Sequence, residues 1–289
     1  MDVKLKILIV GGNGFVGSSL TRAFANKFQV ISTYHRSYTP VKGVHYLLLP
    51  TLSDRDRCDR FIQSVEPDVV IYCLGSNNEA EAEKDPKAAS AIHSGGLTHL
   101  MHSTDILKAK FIYISSDCVF SGIEGNFAEN DSTIPNSQLG KAKVGAENMV
   151  KTRSLNHLIF RCAPLLGRGT LDHPSWLDKI REKIIHAEKV KMASRFLYNP
   201  VHVSFLAMMI EKALQQDLKN KVLHVGGLTK ISFFELAKMF LEKIELSPEL
   251  VESTDPNSNS TVDYSLNFTE SLKLVEAKPL LLEQSLNLL

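Results

Sequence analysis

The sequence predicts an α/β protein, a doubly wound parallel sheet followed by a smaller mixed α/β C-terminal lobe. Three observations carry that expectation. Short apolar runs alternate with helical patterns through the first half of the chain. The runs are rich in Val and Ile and almost wholly apolar, the mark of strands buried on both faces of a parallel sheet. A glycine-rich turn follows the first run directly and opens a helix. Repeated strand–helix alternation builds a layered sheet with helices on both faces, a Rossmann-like arrangement.

Taken in order, the strand candidates are 5–10 (LKILIV), 28–33 (FQVIST), 44–49 (VHYLLL), 68–74 (DVVIYCL), 110–115 (KFIYIS) and 156–161 (NHLIFR). After the first, Val16, Leu20, Ala23 and Phe24 fall at i, i+4, i+7 and i+8, one face of a helix. Asp85-Pro86 starts another, with a capping carboxylate and proline at the first helical position. Past residue 165 the rhythm changes. Helical patterns cover 174–190, 201–216 and 232–245, separated by the strand-like pieces RFLYN and KVLHVGG. The polar stretch 252–265 reads as a loop, and KPLLLEQSLNLL as a short amphipathic helix. This divides the chain into a Rossmann-like domain, 1–165, and a smaller C-terminal lobe, 166–289, with the chain free to cross between them.

Lys and Arg number 33 against 32 Asp and Glu, a net charge of +1, so no basic stripe marks a nucleic-acid or acidic-membrane partner. With 44% hydrophobic and 22% charged residues the composition is that of an ordinary globular protein. A chain of this length buries roughly 75% of its unfolded surface and needs no disulfide or structural metal. Cys58, Cys73, Cys118 and Cys162 include no CxxC pair, so neither a zinc site nor a disulfide framework is legible. The first apolar run before the glycines is only ILIV, shorter than the roughly 7–15 residues of a signal-peptide core. A cytoplasmic protein without a membrane span is the expectation.

The segment KILIVGGNGFVGSSL sets Gly11, Gly14 and Gly17 between strand and helix. Glycines allow the backbone to turn tightly and approach a pyrophosphate, while the helix N-terminus offers unpaired N–H groups and a positive dipole end. Gly11, Gly14, Phe15, Val16 and Gly17 are therefore candidate cofactor contacts, with Leu74 and Gly75 beside them at the end of the fourth run. The alternative is a turn that binds nothing. The second strand ends in STYHRSY, with no carboxylate for a ribose hydroxyl but with His35 and Arg36. A planar, permanently charged guanidinium suits a 2′-phosphate, which favours NADP(H) over NAD(H); a solvated Arg36 is the plain alternative.

GGNGFVG, PDVVIYCLGSNNEAEAEKDPKAA, FIYISSDCVFSG and the segment from Pro135 to Glu147 come in the order and spacing of a known family. The chain resembles the extended short-chain dehydrogenases/reductases, and among them the dTDP-4-dehydrorhamnose reductase group. NPVHVSFLAMMI and VLHVGGLTKISFFELAKMF fit the same pattern, so the resemblance spans nearly the whole chain. It implies a nicotinamide dinucleotide cofactor and a nucleotide-linked ketosugar as substrate; a homodimer is compatible with it. The family's catalytic set is Ser or Thr after the fifth strand, then Tyr and Lys four residues apart on one helical face. By that resemblance Ser116 and Lys143 are catalytic candidates, and Ser116, Asp117 and Asn199 substrate contacts.

The tyrosine position is Leu139. The family's YGxSKxxGE reads here as LGKAKVGAE, which keeps Gly140, Lys143 and Glu147 and loses the proton donor. His93 stands where the family has Asn, and Thr51 where it has Asp, with Asp54 kept. Leucine carries no proton to give, so Leu139 is expected to pack as core. Lys143 either contacts a cofactor ribose or pairs with Glu147 one turn on. Ser116 either bonds a ligand or caps its strand end, and His93 is either a packed histidine or a proton relay. Two functions fit: an NADP-dependent nucleotide-sugar reductase whose donor is His93, Cys118 or a water coupled to Lys143, or a cofactor-holding regulatory or scaffold protein without turnover.

Overall fold

Runs of Val, Ile and Leu that leave neither face to water are satisfied only inside a layered sheet. In the computed structural model, which describes residues 4–75, 78–255 and 260–289, they occupy that position. The strands in chain order are β1 (Lys6–Val10), β2 (Gln29–Tyr34), β3 (His45–Leu48), β4 (Val69–Tyr72), β5 (Lys110–Ser116), β6 (His157–Cys162), β7 (Leu165–Leu166), β8 (Val190–Met192), β9 (Phe196–Tyr198), β10 (Val201–His202), β11 (Lys221–Val225), β12 (Ile231–Ser232), β13 (Val251–Ser253) and β14 (Val262–Asp263). The helices are α1 (Phe15–Phe24), α2 (Arg55–Val65), α3 (Glu79–Lys84), α4 (Pro86–Ser90), α5 (Gly96–Ile106), α6 (Gln138–Arg153), α7 (Trp176–Ile185), α8 (Val203–Gln215), α9 (Phe233–Lys243), α10 (Thr269–Val275) and α11 (Leu282–Asn287).

Seven parallel strands make the central sheet, in the order β11-β6-β5-β4-β1-β2-β3. Alternation along each strand divides its side chains between two cores. Ile7 and Ile9 of β1 pack with Leu20 and Phe24 of α1 and with Leu206, Met209 and Ile210 of α8. Leu8 and Val10 face the other way, onto Ile62 of α2, Leu97 and Leu100 of α5, and Ala146 and Val150 of α6. A third core, around Leu177, Ile180, Leu236, Phe240 and Leu286, belongs to the lobe.

Two stretches of the second half stand otherwise than their local patterns suggest. KVLHVGG, assigned to the lobe, supplies β11, which extends the central sheet beside β6, and α8 packs with α1 on one face of that sheet. Past residue 165 the chain thus returns to the central sheet before completing the lobe. The stretch 252–265 is not wholly loop: β13 pairs with β8 and β14 with β9, both parallel. Its polar side chains brace those pairings, with Asp255 accepting from the Ser194 N–H at 2.7 Å and Glu252 bound by Lys189 at 2.6 Å.

Beneath the sheet ends, the retained Glu147 has a structural role. Its carboxylate receives Arg161 at 2.8 Å and the Ser115 hydroxyl at 2.6 Å, both fully enclosed. Those bonds hold the Glu147 carboxyl below its usual range despite its burial. They also lock α6 to β5 and β6, which fixes where Lys143 stands.

Candidate functional site

Strand order reverses between β1 and β4, so the loops leaving their C-terminal ends splay apart and open a crevice. The glycine loop lies in it. Gly11 has φ +86°, a left-handed conformation that favours glycine, and its N–H donates to Thr33 Oγ1 at 3.0 Å. A side chain on Gly17 would run into the Gly11 carbonyl, so Gly17 lets helix and turn meet. Gly14 differs. It is the N-cap of α1 in an extended conformation at φ −67°, and an added Cβ would meet only Gly11 O, at 3.4 Å. The fold tolerates a side chain there; a ligand lying on the helix end would not. Among the described residues no side chain caps α1, which leaves its first-turn N–H groups for an anion.

A cleft of about 620 Å³ extends from this loop, within the range of small-molecule sites. Gly11, Gly14, His35, Arg36, Leu74 and Gly75 line it together. Val16 turns its side chain into the core instead, so only its backbone faces a ligand, and the Phe15 ring lies against Gly167. The sequence reading missed the far wall. Asp172 and His173 come from the lobe and close the cleft, with Ser37 donating to Asp172 and Thr170 to the Asn13 carbonyl at 3.2 Å. Neither contact has a sequence signal, because 135 residues separate Ser37 from Asp172.

A second group gathers beyond the end of β5. The Ser116 hydroxyl donates to Cys118 Sγ at 2.9 Å and accepts from the Cys118 N–H at 3.3 Å, so it caps the turn that ends the strand. Lys143 is 4% exposed and makes no ion pair among the described residues. Glu147 is taken by Arg161, Ser115 and Lys151, which removes the Lys143–Glu147 pairing. Asp117 is 7% exposed, and its Oδ2 has no hydrogen-bond partner among the described residues. Burial, reinforced by the Glu79 charge, lifts the Asp117 carboxyl to about 7 against the pull of the Cys118 N–H, Lys143 and Ser116. Burial likewise pushes the Cys118 thiol up to about 12.

Leu139 is buried against Ala82 and Ala89 with Cys118 beside it, a packed core residue. His93, at 1% exposure, sits with its ring flush against the backbone of Gly75, where a Cβ would strike it. Asn199 corrects the sequence reading. Its amide donates to Gly227 O (3.1 Å) and Leu266 O (2.9 Å) and accepts from the Leu266 N–H (2.9 Å). It ties three lobe segments together and has no donor left for a substrate. From the lobe, Tyr198 and Tyr264 come within electrostatic reach of Asp117, their rings stacked 5.6 Å apart, with Phe233 behind Tyr198 at 4.7 Å. Burial and the nearby acids raise both phenols. Tyrosines on β9 and after β14 meet only through strand pairing, which periodicity does not reveal.

Among the described residues no helix is long and apolar enough to cross a membrane. No group of three or more His, Cys, Asp and Glu side chains there is placed to hold a metal ion. The four cysteines are free thiols.

Comparison with known proteins places this geometry. The family model described as RmlD substrate binding domain matches residues 5–263. The chain is 24% identical over 239 residues to methionine adenosyltransferase 2 subunit beta of Rattus norvegicus, covering 80% of this chain and 70% of that one. It is 26% identical over 252 residues to a probable low-salt glycan biosynthesis reductase of Haloferax volcanii, covering 85% and 82%. It is 23% identical over 251 residues to dTDP-4-dehydrorhamnose reductase of Mycobacterium tuberculosis, covering 85% and 78%. Among solved structures, dTDP-4-dehydrorhamnose reductase of Bacillus anthracis in complex with NADP superposes with a TM-score of 0.84 at 20% identity, over 99% of this chain and 98% of that one.

Proposed function

This chain belongs to the RmlD substrate binding domain family, and from that membership we propose that it is an oxidoreductase acting on a nucleotide-linked ketosugar, with NADP(H) preferred over NAD(H). The observation that carries the reading is the uncapped N-terminus of α1, bare at Gly14, opening into a cleft whose outer end holds His35 and Arg36. These residues fit a dinucleotide. The backbone of Gly11, Gly14, Phe15, Val16 and Gly17 holds the pyrophosphate. Arg36 and His35 take the 2′-phosphate, and Leu74 and Gly75 flank the chain beyond it. Lys143 contacts the nicotinamide ribose, and Ser116 and Asp117 meet the sugar. When bound, the cofactor supplies hydride to a carbonyl carbon. The protein's share is to orient that carbonyl, exclude water and deliver a proton to its oxygen.

One observation favours a second reading, a cofactor-holding protein without turnover. Leu139 fills the tyrosine position, and methionine adenosyltransferase 2 subunit beta is named as a subunit of another enzyme. Titration calorimetry with NADPH and NADH, followed by single-turnover NADPH oxidation with a dTDP-linked 4-ketosugar, separates the two. The reductase reading expects NADPH to bind at least about tenfold more tightly, since a charge-assisted contact to the 2′-phosphate is worth about 1.5–3 kcal/mol. It also expects Arg36→Ala to abolish that difference and the wild type to oxidise NADPH. Tight binding without oxidation supports the second reading, and equal affinities remove the NADP preference.

A further inference from the structure

With the phenol gone, the reaction proposed above lacks an assigned acid, and the group beyond β5 narrows the choice. Leu139 is closed under Ala82 and Ala89 and has no proton to give. The His93 ring is sealed against Gly75 at 1% exposure. The Cys118 thiol holds its proton too firmly to be a good acid near neutrality. Asp117 remains. Its carboxyl is more than nine-tenths buried, and Oδ2 is left without a partner among the described residues. A buried carboxyl oxygen with no donor is costly when ionised and is satisfied by carrying a proton toward an acceptor.

We infer that the Asp117 carboxyl, in its protonated form, is the proton donor that replaces the missing phenol, an assignment that rests on the reductase reading. As hydride from the bound nicotinamide dinucleotide reaches the carbonyl carbon of the ketosugar, the C=O π pair moves to oxygen. That oxygen takes the proton from the Asp117 carboxyl, and the O–H electron pair stays on the carboxylate. The products are the sugar alcohol, the oxidised dinucleotide and ionised Asp117, which a proton from solvent restores. The surroundings suit both states. Burial and the charge of Glu79 on α3 favour the neutral acid, while the neighbouring phenols of Tyr198 on β9 and Tyr264 after β14 stay uncharged. Lys143 on α6, Ser116 and the Cys118 N–H favour the carboxylate as it forms, with the buried Cys162 thiol on β6 behind. The acid titrates near neutrality, where a proton donor is most effective.

Two measurements test this. In the protein without cofactor, carbon-13 NMR of labelled aspartate should show one carboxyl titrating near 7, several pH units above an ordinary aspartate, and lost in Asp117→Asn. An Asp117 carboxyl titrating in the ordinary range near about 4 overturns the assignment without reference to turnover. In single-turnover NADPH oxidation, Asp117→Asn should lose about 10²–10⁴-fold in rate with NADPH affinity unchanged. Leu139→Tyr in that background should recover part of the loss. Retention of the wild-type rate in Asp117→Asn overturns the assignment while leaving the reductase reading intact. A wild type that binds NADPH and never oxidises it overturns both.

Discussion

A carboxyl that keeps its proton up to about 7 in the native state must leave a mark on stability, and Asp117→Asn isolates it. The unfolded carboxyl titrates near about 4. Below that value both states carry the proton. As pH rises, the unfolded chain ionises first while the native protein retains the proton, so stability falls until the native group ionises as well. The shift of roughly 3 units, at about 1.4 kcal/mol each, totals about 4 kcal/mol. Between about pH 5 and pH 8 the wild type should therefore lose about 3 kcal/mol through this group. Asparagine has no such titration. Whatever it costs to bury its amide, about 1–3 kcal/mol, is constant with pH and drops out of the comparison. Urea unfolding at several pH values, followed by the fluorescence of the single tryptophan, Trp176, gives both curves. The wild type should lose ground to Asp117→Asn by about 3 kcal/mol across that window. Stabilities that stay parallel within about 0.5 kcal/mol would refute the burial argument for Asp117.

Gly14→Val should remain folded by circular dichroism and lose NADPH binding, because its side chain enters the cleft and not the core. Gly17→Ala, aimed at the Gly11 carbonyl, should instead unsettle the loop and lower the melting temperature. Asn199→Ala deletes three backbone bonds in the lobe and should cost about 2–4 kcal/mol in chemical unfolding, with NADPH affinity unchanged. Leu139→Tyr should cost about 1–3 kcal/mol through overpacking under Ala82 and Ala89, read in the same unfolding experiment.

The strands β1 to β6 and the glycine loop were legible because apolar runs and glycines report local backbone requirements. β11 was not. A strand buried on both faces looks the same whether it joins the central sheet or a lobe, and Lys221–Val225 carries no mark of its partner β6. Family position pointed to Asn199 as a cleft residue, yet the Gly227 and Leu266 backbone that consumes its amide lies 28 and 67 residues away. The glycine pattern named Gly14 and Gly17 together but could not show that a Cβ on Gly17 would strike the Gly11 carbonyl while one on Gly14 would meet it only at 3.4 Å. The lobe's contributions, Asp172 against Ser37 and Tyr198 with Tyr264 near Asp117, arise only when distant segments pack.

Reduction of a nucleotide-linked ketosugar with a carboxylic acid in place of a phenol has a characteristic dependence on pH. The most direct measurement is the single-turnover rate of NADPH oxidation by the wild type with a dTDP-linked 4-ketosugar, taken from about pH 5.5 to pH 8.5. The rate should be constant at low pH and fall about tenfold per unit above about 7, as the Asp117 proton is lost. No oxidation at any pH, with NADPH bound, would contradict the claim of turnover. A rate that persists undiminished to pH 8.5 would contradict the carboxylic acid as its proton source.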